Sequence, residues 1–361
     1  MTRVQSKFDQ PPRSTVGVCR PGYRRIAVAL TGIAACLAAV NTLAQAIPPE
    51  ARRSNSAETE FRGPVKAFVD AQAAVLASSD AAAQSAARQA LVAELDGSEV
   101  TDSFKAVYSE AVGTSLAASV ASKDLPARLA AAIVAARVAD RGVATAVRPL
   151  TLKLLADESE PIAVWGIRSA RPLASGRSGR VDAEVATAAA AAAARFGTPT
   201  TTAEAYKAII GDLTVVPLGT VDAIRGVQTV VAARIAGYAT AAEPRIETDA
   251  VNFLANTRVW NAPGVTLADR ARSADLLVKL LAATATRIEA SAGTAQQQFR
   301  EVSIATARAI RAVGREVGSD AIDKAAAAVA NNTSPAEIKA IAANVARALA
   351  GVKGFESVKL E

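Results

Sequence analysis

The segment Val143–Ser175 has the pattern of two helices joined by a short turn, and it constrains the fold more than any other stretch. Val147, Leu150 and Leu154 recur three or four positions apart, which places them on one side of an α-helix. After an acidic break, Pro161 suits the first turn of a second helix, where no backbone N–H is required. A single hairpin leaves an apolar face open, so we expect adjacent hairpins to cover it.

The second helix of this segment has an unusually smooth face. Small residues such as Ala163, Gly166 and Ala170 alternate there with isoleucine and leucine, which lets a neighbouring helix approach closely. Arg168 and Arg171 fall on the opposite side. Pro172 should bend or end this helix, because a proline inside a helix removes one hydrogen bond.

This hairpin resembles a HEAT repeat, and residues 101–176 match the family pattern best. The pattern has a leucine-rich first helix, an acidic turn, a proline that opens the second helix, and valine, arginine and alanine–leucine positions. The matching residues here are Leu150, Leu154, Asp157, Pro161, Val164, Arg168, Ala170 and Leu173. The resemblance implies a right-handed α-solenoid of antiparallel helix pairs, whose second helices line a concave surface used to contact other proteins.

The remaining prolines indicate how far such repeats extend. Prolines able to open second helices occur at 126, 161, 199, 244 and 335. Their spacing lengthens from 35 to 38 to 45 residues, and the last gap is about the length of two repeats. We therefore predict an all-α chain of about six to seven hairpins, irregular in its C-terminal half. A closed toroid or an irregular bundle of the same hairpins stays an alternative.

The first 46 residues have the features of a secretory signal peptide. Arg24 and Arg25 precede the apolar run Ile26–Val40, and Ala44 and Ala46 form a small-x-small cleavage site. We predict cleavage after Ala46 and a periplasmic or secreted protein with no stable membrane span, by the general secretory or the twin-arginine route. Residues 47–60 are predicted to form a flexible arm, and residues 61–361 a single HEAT-like helical repeat domain.

Removing the leader changes the charge of the chain. The whole sequence has 41 basic and 34 acidic residues; the first 46 hold six basic residues and one acid, which leaves 35 against 33. The mature chain is therefore close to neutral, and the high isoelectric point is no evidence for nucleic acid binding. We predict no nucleic acid partner.

The residue inventory excludes several chemistries. The chain has no histidine, and both cysteines, Cys19 and Cys36, lie in the leader. Catalytic triads that use these residues and the usual zinc sites are therefore absent from the mature chain. No phosphate-binding or dinucleotide-binding motif occurs, so we predict no catalytic residue, no metal and no cofactor. A binding or scaffold protein is favoured, and a carboxylate-dependent all-α enzyme of the cell envelope is the alternative.

One cluster has the composition of an interface anchor. The candidate partner-binding residues are Trp165, Arg168, Arg171, Arg177 and Arg180, which lie in and just after the second helix of the best hairpin. Tryptophan and arginine are enriched where binding energy is concentrated. The expected partner is another protein or an acidic polymer of the envelope. The alternative is that Trp165 packs between repeats and the arginines are solvated.

Other signals predict helix ends and one loop. The patterns Thr201-x-x-Glu204, Thr266-x-x-Asp269 and Ser334-Pro335-x-Glu337 are typical of helix starts in which the first residue caps the helix and the acid reaches back. Residues 256–265, which include Trp260, are predicted to form a loop.

Overall fold

The computed structural model describes residues 46–177, 179–211, 217–238 and 247–360. Within these ranges the regular secondary structure is helical, apart from one isolated bridge between Arg180 and Leu218. The all-α prediction is therefore confirmed. The predicted signal peptide lies outside the described residues, as do most of the irregular stretch 213–219 and the start of the helix predicted from Pro244.

Eighteen α-helices can be placed in the described ranges, together with one 3₁₀ turn at Ala144–Val147. They are α1 (Pro49–Arg53), α2 (Ala57–Glu60), α3 (Arg62–Leu76), α4 (Ala81–Ala93), α5 (Asp102–Ser115), α6 (Ala117–Val120), α7 (Leu125–Arg141), α8 (Arg148–Ala156), α9 (Glu160–Ala174), α10 (Ala183–Phe196), α11 (Pro199–Ile210), α12 (Thr220–Gly237), α13 (Thr248–Leu254), α14 (Thr257–Trp260), α15 (Leu267–Ala290), α16 (Gly293–Glu316), α17 (Asp320–Ala327) and α18 (Pro335–Ala350).

The long helices contact one another in two series. The first series runs α3, α5, α8, α10, α12, α15 and α18, and the second runs α4, α7, α9, α11, α13, α16 and α17. Each helix packs against the next member of its own series and against one pair partner in the other series. The pair partners are joined by short turns, except for α12 and α13, which are separated by residues 238–247, and α5 and α7, which are separated by α6.

The apolar core follows the same order along the chain. Three clusters of buried residues succeed one another, from Ile47 to Ile162, from Leu155 to Leu276 and from Tyr238 to Val358. Alanine dominates the middle cluster, where the run in α10 packs against helices of both series. Alanine side chains are short, so helices that meet through them can approach closely.

The hairpin 143–175 folds as a helix pair, α8 and α9. Val147, Leu150 and Leu154 are buried, as the spacing predicts. A side chain at Gly166 would lie 2.9 Å from the backbone of Leu154, so glycine is required where α9 crosses α8. Pro172 does not end the helix, which continues to Ala174.

Two helix starts differ from the sequence predictions. Thr201 does not cap a helix; α11 begins at Pro199 and is capped by Thr198, whose hydroxyl accepts a hydrogen bond from the Thr201 backbone N–H. The TPTT sequence offers two hydroxyl caps, and the proline at the first position selects the earlier one. The capping boxes at Thr266 and Ser334 both form.

Two segments predicted to be irregular are partly helical. The predicted flexible arm, residues 47–60, contains α1 and α2, and Ala51 and Ala57 are fully buried. Its backbone also accepts a hydrogen bond from the N–H of Thr101, so it belongs to the folded unit. In the predicted loop 256–265, residues 257–260 form one helical turn and Trp260 is buried.

An ion pair lies in the interior where the chain passes from α12 to α13. The Nε of Arg234 lies 2.6 Å from Oε1 of Glu247, and the two residues are 3% and 0% exposed. The guanidinium also lies 5.5 Å from the ring centroid of Tyr238 and donates to the carbonyl oxygen of Gly197. Burial alone would lower the pKa of Arg234, but the Glu247 carboxylate raises it by more, so Arg234 stays protonated.

Candidate functional site

The predicted binding residues begin on α9, the third helix of the second series. Its apolar stripe, including Ile167 and Ala170, is buried against the neighbouring helices. Trp165, Arg168 and Arg171 are each three residues apart and therefore share the outer side of the helix. All three are half-buried, because α7 and α11 flank this side. The structure thus brings these three predicted residues together.

Trp165 and Arg168 form one unit. The guanidinium carbon of Arg168 lies 4.5 Å from the centroid of the Trp165 ring, within the range of a cation–π contact. Trp165 also packs against the N-terminal core cluster. On its other side, Nε of Arg168 lies 3.3 Å from Oε2 of Glu204 in α11. Arg168 therefore fixes the tryptophan ring and ties α9 to α11.

The electrostatics of Glu204 reflect this arrangement. Burial raises the pKa of its carboxyl group, but the hydrogen bond from Arg168 and the charges of Arg168, Lys207 and Arg171 lower it by more. The pKa of Glu204 is therefore below its ordinary value. The carboxylate stays ionised at neutral pH and neutralises Arg168, which leaves Arg168 less able to bind a second anion.

A groove opens beside this unit, between α7, α9 and α11. Its volume is about 320 Å³. It is lined by Ala136, Arg137, Asp140, Trp165, Arg168, Arg171, Glu204 and Lys207. We refer to it as the tryptophan groove. Its lining combines one tryptophan with four basic and two acidic side chains.

Arg171 and Arg137 are the cations of this groove that are open to a ligand. Neither has an ion-pair partner among the described residues, whereas Arg168 is paired with Glu204. Lys207 is exposed and lies 3.6 Å from Glu204. The groove thus has four basic and two acidic side chains, and three of the basic ones carry no strong partner among the described residues.

The two remaining predicted residues are placed differently. Arg177 is exposed, and its Nη1 lies 3.3 Å from Oδ1 of Asp140 at the edge of the groove. Arg180 is also exposed, but its backbone bridges Leu218 and its side chain lines neither the tryptophan groove nor the cavity beside it. The cluster of five predicted residues therefore reduces to four around adjoining openings, with Arg180 outside them.

A second cavity adjoins the tryptophan groove and shares two residues with it. Its volume is about 540 Å³, and it lies between α9, α11 and α13. Its lining is Arg171, Ser175, Arg177, Tyr206, Lys207, Ile210, Gly211, Asp249 and Asn252. We refer to it as the α13 cavity. Together the two openings extend over the outer side of four consecutive second-series helices.

Sequence reasoning missed the residues that α11 and α13 contribute to this surface. Glu204 was assigned to a capping box, Asp249 was interpreted only as an acid near a helix start, and Lys207 and Asn252 were not singled out. One signal was available, since Glu204 follows Arg168 by 36 residues, about one repeat. The same spacing occurs in the first series, where Glu184 of α10 lies 36 residues after Arg148 of α8 and accepts a hydrogen bond from it. Opposite charges one repeat apart therefore mark contacts between successive helices of a series.

Some activities have no support in the described part of the chain. No group of three or more potential ligands there is arranged to hold a metal ion. Among the helices described, none combines the length and the apolar character needed to cross a bilayer. The chain was also compared with protein-family models, curated proteins and solved structures, and none of the three comparisons found a match.

Proposed function

We propose that this chain is an exported, right-handed, HEAT-like α-solenoid that binds another protein or an acidic envelope polymer through the outer side of its second-series helices. The contacts between helices support an open array, because each helix packs mainly against its pair partner and the next helix of its series. A closed ring would also pack the first pairs against the last. No such extensive contact links α3–α7 with α15–α18 in the described residues.

The tryptophan groove is the observation that carries the binding proposal. Trp165 supplies a large surface held in one orientation by Arg168, so little conformational entropy is lost when a partner covers it. Arg171 and Arg137 line the same groove and form no ion pair with a described residue. A partner segment with an apolar side chain flanked by carboxylates would satisfy both features. We infer that Arg168 positions the anchor and that Arg171 binds the anion.

Binding is proposed rather than catalysis because the groove lacks a reactive pair. Its carboxylates, Glu204 and Asp140, each contact a basic residue. General acid–base work by carboxylates usually needs one with a raised pKa, and the pKa of Glu204 is lowered. The groove thus holds charges suited to recognition.

The test measures binding of a defined acidic probe. Purified chain from Ile47 onward is titrated with a glutamate-rich peptide containing one leucine, and Trp165 emission is followed, since the chain has two tryptophans and Trp260 is buried. We expect Arg171→Gln to weaken binding. Trp165→Ala, which lacks the reporter ring and is therefore measured by isothermal titration calorimetry beside the unmodified chain, should cost about 2 kcal/mol of affinity, roughly 30-fold in Kd. Binding should also weaken as salt rises.

Lys153→Gln is the matched control. Lys153 is an exposed cation of α8 in the first series, so its removal changes the net charge equally without touching the groove. If Arg171→Gln and Lys153→Gln weaken binding equally, the attraction is non-specific and the proposed surface is wrong. Circular dichroism of each variant separates lost binding from lost folding. The proposed export is tested separately by N-terminal sequencing of the protein from cells, where an intact leader would refute it.

A further inference from the structure

The α13 cavity has charges of both signs on different helices. Arg171, Arg177 and Lys207 come from α9, the turn after α9 and α11, whereas Asp249 and Asn252 come from α13. A purely cationic site would suit a phosphate or a sulfate, but the carboxylate of Asp249 repels such a ligand. The walls are complementary to a ligand that carries a positive and a negative group at separate ends.

Several of these side chains have no partner among the described residues. The side chains of Arg171, Asp249 and Asn252 make no hydrogen bond or ion pair there. Arg177 and Lys207 each contact one carboxylate, at 3.3 Å and 3.6 Å. Charged groups that face one cavity from different helices and stay unpaired are unusual in a surface otherwise rich in ion pairs. They are available to a ligand.

The cavity is also held in shape on one side. At Gly211, which follows α11, a side chain would lie 2.7 Å from Cβ of Ser175, so the ends of α9 and α11 are in direct contact. Gly211 has a φ of +62°, which favours glycine. The side chain of Ser175 is buried and donates to the carbonyl oxygen of Arg171. This wall of the cavity is therefore already formed before a ligand binds.

We propose that the α13 cavity binds a short free peptide by both of its termini, the carboxylate at Arg171 and Lys207 and the ammonium group at Asp249 and Asn252. Packed helices lie 8–10 Å apart, and α11 packs against α13. An extended peptide spans about 3.3–3.6 Å per residue, so about three residues bridge that distance. The volume of about 540 Å³ is typical of small-ligand sites, and Ile210 offers an apolar contact to the central side chain.

This site goes beyond the proposed function, because it needs no protein partner. The experiment is isothermal titration calorimetry of the chain from Ile47 onward with trialanine that has free termini. N-acetyl-trialanine and trialanine amide are the matched ligands, each lacking one terminal charge. We expect trialanine to bind and both blocked forms to bind at least about 10-fold more weakly, since each loses one charged contact.

Two variants and two controls assign the contacts. Asp249→Asn should weaken the binding of trialanine at least about 10-fold and leave the weak binding of the N-acetyl form unchanged. Arg171→Gln should also weaken the binding of trialanine at least about 10-fold, and it should leave the weak binding of the amide unchanged. Glu158→Gln and Lys153→Gln remove exposed charges from outside the cavity and should change nothing. Circular dichroism confirms that each variant is folded.

Three results would overturn the inference. The first is that trialanine gives no measurable heat at concentrations of about 10 mM. The second is that the blocked peptides bind as tightly as trialanine, and the third is that Asp249→Asn does not weaken the binding of trialanine. Failure of the acidic-peptide experiment at the tryptophan groove is a separate outcome, because Asp249 lies outside that groove. Trialanine binding that depends on Asp249 would stand even if no protein partner exists.

Discussion

Replacing Glu247 by glutamine leaves the guanidinium of Arg234 buried beside a neutral side chain. The two residues are 3% and 0% exposed, so water does not reach the site to replace the lost charge. Breaking a buried ion pair from one side typically costs 3–5 kcal/mol. Arg234 keeps its hydrogen bond to the carbonyl oxygen of Gly197, so we expect about 3 kcal/mol for this variant.

A second ion pair on the same helix is a matched control. Nε of Arg225, also in α12, lies 2.9 Å from Oδ1 of Asp269; the Arg225 side chain is 56% exposed and the Asp269 side chain 9%. Solvent reaches Arg225, and Asp269 keeps its hydrogen bonds from Thr266, so Arg225→Ala should cost less than Glu247→Gln, about 1 kcal/mol. Urea unfolding followed by circular dichroism measures both variants, and hydrogen exchange shows whether α12 and α13 open first.

Comparing Glu247→Gln with Arg225→Ala tests whether burial makes the Arg234–Glu247 pair costly to break. If Glu247→Gln is as mild as Arg225→Ala, solvent reaches the Arg234–Glu247 pair and the reasoning from burial fails. A double variant, Arg234→Met with Glu247→Leu, adds a further check, because it removes the buried guanidinium as well as the carboxylate. We expect the double variant to be more stable than Glu247→Gln alone.

Three further predictions concern packing, pH and helix ends. Gly166→Ala should destabilise the protein by about 1–3 kcal/mol, because the new methyl group meets backbone atoms of α8. Gly63→Ala, in open space within α3, should stabilise the protein by up to about 1 kcal/mol. Thermal unfolding measures both variants, and equal effects would refute the close packing at Gly166. The hydrogen bond from Arg148 lowers the pKa of Asp182, so the stability that this pair contributes is present at neutral pH and is lost as the pH falls below about 4. Arg148→Gln should therefore make the stability less sensitive to acid in that range. An acid profile that Arg148→Gln leaves unchanged would contradict this role of the pair. Ser334→Ala should cost about 1 kcal/mol, as loss of an N-cap does, and a Tm unchanged by this substitution would show that the α18 cap is dispensable.

The helical hairpins could be predicted because their signals are local. The spacing of Val147, Leu150 and Leu154, and the capping boxes at Thr266 and Ser334, involve residues within a turn or two of each other. Such patterns determine which residues are buried and where a helix begins. Where two caps compete, as at Thr198 and Thr201, the local pattern is ambiguous and the prediction was wrong.

The site could be predicted only in part, because its partners come from separate helices. Trp165, Arg168 and Arg171 belong to one helix, and their spacing alone places them on one side. Nothing local indicates that Glu204 neutralises Arg168, or that Asp249 faces Arg171 across a cavity. Those relations depend on which helices are adjacent.

The buried Arg234–Glu247 pair shows the same limit. Glu247 directly precedes α13, where the charge of an exposed acidic residue favours a helix start. In the structure it is fully buried, and its partner lies 13 residues earlier on the preceding helix. Composition cannot predict this, since buried charges are rare and are retained only when a partner is held in place.

The serial contacts between helices also determine how the molecule comes apart. Each helix pair is stabilised by its immediate neighbours, so the loss of one pair removes support from the next pair and from little else. Unfolding that starts at one end therefore advances by pairs, and partly unfolded species accumulate when adjacent pairs differ in stability. A substitution then shifts the melting transition of the helix pair that contains it. Because contacting segments lie close in sequence, the chain also refolds without waiting for its two ends to meet.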